Sequence, residues 1–145
     1  VLRKRLAGIP AMTRLGAEGY TDEMTEKTYD SLYGVVAKAL DSGHSAIADA
    51  VFAKPAQRRA IARAAERAGV PFHGLWLEAP KRVLEQRVLE RTHNPSDATP
   101  EVIGRQLGYD LGPMEWERVD SSGERHRTVE AARRLLGPDM VNGNF

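Results

Sequence analysis

Ser45-Ala46-Ile47-Ala48-Asp49-Ala50-Val51-Phe52, then Pro55 to Gly69, then Phe72-His73-Gly74-Leu75-Trp76-Leu77-Glu78: the reading of these stretches decides the fold class. The first and third are apolar runs of strand length bounded by turn residues. Between them, Pro55 suits the first position of a helix, Ile61 and Ala65 lie within it, and Gly69 is a natural terminator. Strand, helix and strand with tight joints predict a βαβ unit. Such units build parallel sheets flanked by helices, so the expected class is α/β.

Outward from this unit the signals keep alternating. Upstream, Thr21 can cap a helix whose first turn carries Asp22 and Glu23, where carboxylates suit the positive end of the helix dipole. Tyr29, Leu32, Tyr33, Val36 and Leu40 continue it at helical spacing, and Gly43 stops it. Val1-Leu2-Arg3-Lys4-Arg5-Leu6 reads as a helix start with nothing before it, which suggests a truncated chain. Downstream, Pro80 opens a third helix bearing Val83, Leu84, Val88 and Leu89, and residues 92–98 are turn chemistry. Thr99-Pro100-Glu101 starts a helix expected to reach about Leu111, where Gly112-Pro113 breaks it. Met114 to Asp120 holds a short strand, and Thr128 to Leu136 is a closing helix ended by Gly137-Pro138. No linker or repeat divides the chain, so residues 1–145 are read as a single domain.

Bulk properties narrow the partners. The chain has 21 Lys+Arg against 20 Asp+Glu, a net charge of +1, which gives no overall field to steer it towards nucleic acid or an anionic membrane. It has no cysteine, which removes disulfides, thiolate metal sites and thiol catalysis and fits a cytoplasmic location. No apolar run approaches the roughly 20 residues that span a bilayer, and no leader is recognisable, so no membrane partner is expected.

Asp49 is the first candidate for chemistry. A carboxylate within an apolar strand is stable only near the strand's end or paired, and ligands of open parallel sheets sit beyond the carboxyl ends of the strands. There it could hold a magnesium-bound water or a substrate hydroxyl, or merely cap the following loop. Arg87 and Arg91 lie four residues apart on one helix face, which suits a polyanion such as a triphosphate. The plain alternative is a solvated face of ordinary ion pairs with Glu85 and Glu90. A Pro-broken polar loop followed by a helix carrying Arg105 favours an arginine-bearing flap. Arg3-Lys4-Arg5 could grip a phosphate or an acidic substrate, or be the wet face of the first helix. The four histidines show no metal-ligand spacing, and Trp76 and Trp116 sit in strand-like runs that suit a core.

Four segments together carry a resemblance: residues 1–8, Gly43 to Phe52, Gly74-Leu75-Trp76-Leu77-Glu78-Ala79-Pro80, and Ser96-Asp97-Ala98. In order and spacing the chain resembles the downstream part of a P-loop small-molecule kinase, of the AAA-family or zeta-toxin-like ATP-binding kind. The resemblance implies a three-layer P-loop NTPase kinase-like fold with a helical lid around residues 81–111. It implies ATP and Mg²⁺ as cofactors and a small-molecule acceptor. Asp49 would match the acidic residue ending the third strand, near magnesium and the acceptor. Arg87 and Arg91 would match lid arginines that neutralise the transferred phosphoryl group, with Arg105 assisting from the second lid helix. Arg3 would match an arginine that contacts the acceptor or the transferring phosphate.

The departure from that pattern is the phosphate loop. No G-x-x-x-x-G-K-[ST] occurs, and Gly16-Ala17-Glu18-Gly19-Tyr20 is not followed by Lys-Ser or Lys-Thr. The chain by itself is therefore expected to lack kinase activity and the N-terminal strand of the sheet. Loss of four or five apolar side chains there, about 6–15 kcal/mol in all, predicts rearrangement or self-association through an exposed sheet edge. Two other readings stay open: a non-catalytic α/β binding or interaction module, and a polynucleotide-end kinase. The second is weakened by the balanced charge and the lack of interleaved aromatics.

Overall fold

The computed structural model describes residues 1–13, 21–90 and 98–141. Along them run α1 (Leu2–Leu6), α2 (Asp22–Asp41), α3 (Pro55–Ala68), β1 (Leu75–Glu78), α4 (Lys81–Glu90), α5 (Pro100–Leu107), β2 (Glu117–Asp120) and α6 (Arg125–Val141). The helix ends follow the local chemistry. The Thr21 hydroxyl accepts the Met24 amide at 3.2 Å, and the Thr99 hydroxyl accepts that of Val102 at 3.3 Å. Pro55 stands in the first turn of α3, and Gly69 closes that helix at φ 68°, a left-handed conformation that glycine adopts without a Cβ clash. Helix α5 ends at Leu107 with Gly108 as its cap, four residues short of the expected Leu111. Within α6, Gly137 leaves helical geometry at φ 75° and ψ 165°, at the Gly-Pro step read as a terminator.

The chain is mixed α/β with a small parallel sheet. Strands β1 and β2 pair in parallel from Leu75↔Glu117 to Glu78↔Asp120, joined by the α4–α5 crossover. At its start the Glu117 amide donates to Gly74 O at 2.9 Å; at its end Ser121 N donates to Glu78 O at 2.8 Å. An exposed Arg118–Glu78 ion pair crosses the two strands at 2.6 Å.

The predicted strand Ser45–Phe52 is not formed. The described residues contain one two-stranded sheet, β1–β2, and residues 45–52 belong to no ladder. A strand exists through its neighbours' hydrogen bonds, so an apolar run with no adjacent strand stays irregular. Ile47, inside this apolar run, is accordingly 97% exposed. Leu77, on β1, is also exposed.

The core is aromatic and sits between α2, α3 and the end of that irregular segment. Tyr29, Val36, Phe52 and Ile61 are buried together, with Leu32, Tyr33, Leu40, Ala48 and Trp116 packed against them. The Phe52 ring meets Tyr29 edge-on at 5.4 Å and Trp116 at 5.1 Å, arrangements that suit the ring quadrupoles. The Tyr33 hydroxyl donates to Gln57 O at 3.3 Å, tying α2 to α3.

Burial raises the pKa of both core phenols. Tyr33 is pushed up to about 12 by loss of solvent, then by the neighbouring Tyr29 and Asp30. Tyr29 rises for the same first reason, partly offset by the Phe52 amide and by Arg3. The folded state thus holds these protons more tightly than the unfolded chain does. That stabilisation is complete below the ordinary phenol value of 10.0 and is lost as pH climbs towards about 12. Phenolate absorbance should show Tyr29 and Tyr33 ionising late, together with loss of the helical circular-dichroism signal. A single step near pH 10 with the helices intact would refute this burial.

Candidate functional site

Asp49 stands exposed three residues before Phe52, and Phe52 is the anchor of its segment. Phe52 is 2% exposed and holds φ 46°, the sole non-glycine residue with positive φ among the described residues. That conformation is costly for a bulky side chain and persists only where its surroundings enforce it. Two side chains enforce it here. The Phe52 amide donates to the Tyr29 hydroxyl at 2.8 Å, and its carbonyl accepts from Arg58 at 2.8 Å.

Arg58 is a hub. It is 4% exposed and donates to the carbonyls of Phe52 and Ala53 through Nη1 and to those of Leu111 and Pro113 through Nη2. Its guanidinium carbon lies 6.0 Å from the centre of the Trp76 ring. One planar fork thereby joins the segment bearing Asp49 to the chain leaving α5, a use for which arginine's fixed donors are suited. Gly112, at φ 57°, seals the same junction, because a Cβ there would stand 2.9 Å from Pro55.

Arg3 belongs to this end of the molecule. Its Nη1 donates to the Thr25 hydroxyl at 3.1 Å, and its charge reaches the Tyr29 phenol. Arg3 and the Asp49 segment therefore meet around Tyr29. The basic cluster at residues 3–5 splits: Lys4 is buried, with its ammonium donating to Ala11 O at 3.0 Å, whereas Arg5 is exposed.

A second group of residues lies beyond the carboxyl ends of β1 and β2. Arg87, half-buried on α4, donates to Ser121 O and Gly123 O, each at 2.6 Å, and to Ser122 O at 3.5 Å. The same turn is braced by Asp120, which accepts the Ser122 amide at 2.8 Å. The Ser122 hydroxyl and amide hold the Asp120 carboxyl below the usual carboxylate range. No carboxylate pairs with Arg87 among the described residues, and its guanidinium fastens the turn through neutral carbonyls. Arg105 is exposed on α5, which packs along α4. Arg91 lies outside the described residues. No hydrogen bond or ion pair joins the Arg87 turn to the Tyr29–Arg58 group among the described residues.

A cavity of about 300 Å³ lies before the amino ends of both strands, bordering Arg58 and lined also by Arg59, His73, Glu115, Trp116 and Leu135. It contains none of the residues proposed for chemistry. Among the described residues, no three His, Asp or Glu side chains gather to hold a metal. Magnesium keeps several waters and needs only one or two carboxylates beside substrate phosphates, so a site for it does not require such a cluster.

Two residues of this region escaped the sequence reading. Tyr29 was read as one apolar position of α2. Arg58 carries a detectable signal: it lies three residues before Ile61 and seven before Ala65, on the buried stripe of α3. An arginine on such a stripe needs several acceptors.

Residues 1–109 match a family described as AAA domain. The chain belongs to this AAA domain family. The match spans Asp49, Arg87 and Arg105, and the family is of the P-loop NTPase type, whose domains generally bind ATP with Mg²⁺. This AAA domain is similar to uncharacterized protein Rv2004c of Mycobacterium tuberculosis and uncharacterized protein Mb2027c of Mycobacterium bovis. Each is 35% identical over 104 residues, which cover 66% of this chain and 19% of the relative. The chain thus spans about a fifth of the length of these relatives. No solved structure matches it significantly. No helix among the described residues is long and apolar enough to cross a membrane.

Proposed function

We propose that this AAA domain is part of an ATP-dependent kinase, zeta-toxin-like in its ancestry, that transfers a phosphoryl group to a hydroxyl of a small molecule. The observation that carries the reading is the family match over residues 1–109, which takes in the Asp49 segment, the arginines of α4 and α5, and the crossover between them. In this reading residues 1–145 form one domain of three-layer type, and the phosphate loop that cradles ATP lies in sequence outside this chain. Asp49 orients the acceptor hydroxyl and contacts magnesium through water. Arg3 binds the acceptor or the phosphate in transit. Arg87 and Arg91 neutralise the phosphoryl group, with Arg105 assisting, because this chemistry depends mainly on positioning and charge compensation. The Arg87 contacts are compatible with that role: its acceptors are neutral carbonyls, so an arriving phosphate would compete for the guanidinium with full charge attraction.

The test uses the protein at its natural length, assayed for ATP binding and for phosphoryl transfer to a panel of hydroxylated small molecules. Asp49→Asn is expected to lower turnover by about 100-fold or more while leaving ATP affinity nearly unchanged. Arg91→Ala is expected to reduce turnover as well. Undiminished turnover in Asp49→Asn would remove that carboxylate from the reaction, and absence of ATP binding by the unsubstituted protein would sink the kinase reading.

A further inference from the structure

The exposed Asp49 lies between two residues fixed by the aromatic core. Ala48, just before it, packs against the aromatic core, and Phe52, three residues after it, is buried. Between these two fixed points Asp49 is exposed, so its position follows from how the short bridge is anchored. The anchor at Phe52 is strained, at φ 46°, and is built by Tyr29 at the amide and Arg58 at the carbonyl. Arg58 also supports Ala53 and the chain after α5, so its removal would disturb much else. Tyr29 contributes one separable atom, the hydroxyl oxygen that accepts the Phe52 amide at 2.8 Å.

We infer that Tyr29 is a positioning residue for Asp49, acting through the left-handed kink at Phe52. The inference rests on the proposed role of Asp49 as the acceptor-side carboxylate. Without the hydroxyl, the buried Phe52 amide has no acceptor and the strained φ loses one of its two restraints. The bridge then relaxes and Asp49 moves away from the acceptor. The Tyr29 ring itself, edge-on to Phe52 at 5.4 Å, remains the packing element of the core.

Tyr29→Phe keeps that ring and deletes only the hydroxyl. It is compared with Asp49→Asn and with the double variant in the protein at its natural length. Turnover is expressed per ATP-binding site, so that molecules which merely unfold drop out of the count. Tyr29→Phe is expected to reduce turnover per site by roughly 10- to 100-fold, as misplacement of a reacting group does, with ATP affinity unchanged. In the Asp49→Asn background the same substitution should have almost no further effect, because the group it positions is already gone. An equal reduction in both backgrounds, or full turnover in Tyr29→Phe while Asp49→Asn is inactive, overturns the positioning role and leaves the kinase reading standing. Full turnover in Asp49→Asn instead removes the premise itself.

Discussion

Arg58→Ala is expected to destabilise the domain by at least about 3 kcal/mol, and urea unfolding of the natural-length protein should show it. The residue is buried at 4% exposure and satisfies four backbone carbonyls, two from residues 52–53 and two from residues 111–113. A hydrogen bond to a charged group contributes about 1.5–3 kcal/mol, and an orphaned buried carbonyl costs about 1–3 kcal/mol. Alanine removes the common donor of all four carbonyls at once. Water entering the space would recover part of the loss, and release of the guanidinium to solvent would recover more, so the contributions do not simply add. Even the lower figure is a large fraction of the roughly 5–15 kcal/mol that holds a typical domain together. Arg58→Lys is the informative control: it keeps the charge and much of the stem but presents a compact ammonium that cannot span both segments. It should recover part of the stability. A loss below about 1 kcal/mol in Arg58→Ala would mean that solvent replaces the fork almost completely.

The same residue shows where sequence reading succeeds and where it stops. Thr21, Pro55 and Gly69 act within a few residues of themselves, and each marks a helix start or stop near its predicted place, whereas Gly137 interrupts α6 with a kink and does not end it. β2 likewise falls inside the expected stretch from Met114 to Asp120. Ser45–Phe52 is different, because strand formation depends on a neighbour, and no composition within the run supplies one. The run is instead an irregular segment with Asp49 in solvent and Phe52 in the core. The site residues divide in the same way. Helical spacing does place Arg87 on one face of α4, but it says nothing of the turn at residues 121–123 that Arg87 fastens, because that contact spans more than thirty residues. Arg3 was legible as a cation and illegible as a neighbour of Tyr29. Such pairings arise only when separate helices meet, and local patterns hold no record of them.

Gly74→Ala is the second change with a large expected effect, and it acts by volume alone. Gly74 has no positive φ, so alanine meets no backbone penalty there. A Cβ at this position would, however, clash with three atoms of the Trp116 indole, too closely for any adjustment within the ring. Trp116 is itself wedged, with its ring centre 5.1 Å from Phe52 and 5.9 Å from Phe72. Either the indole or the backbone must yield. Backbone movement would strain the bond from the Glu117 amide to Gly74 O that begins the β1–β2 pairing, whereas indole movement would push on Phe52 and its kink. Forced overpacking of this kind typically costs about 1–3 kcal/mol, and movement of the indole into the cavity it lines would relieve part of that cost. Trp116 fluorescence should shift as the ring leaves its slot. Gly34→Ala provides the contrast, since Gly34 lies within α2 and an added Cβ there meets nothing within 4 Å. That substitution should stabilise the protein by about 0.5–1 kcal/mol through helix propensity. If the two alanines shifted the urea midpoint in the same direction, close approach of Trp116 would not be what requires glycine at position 74.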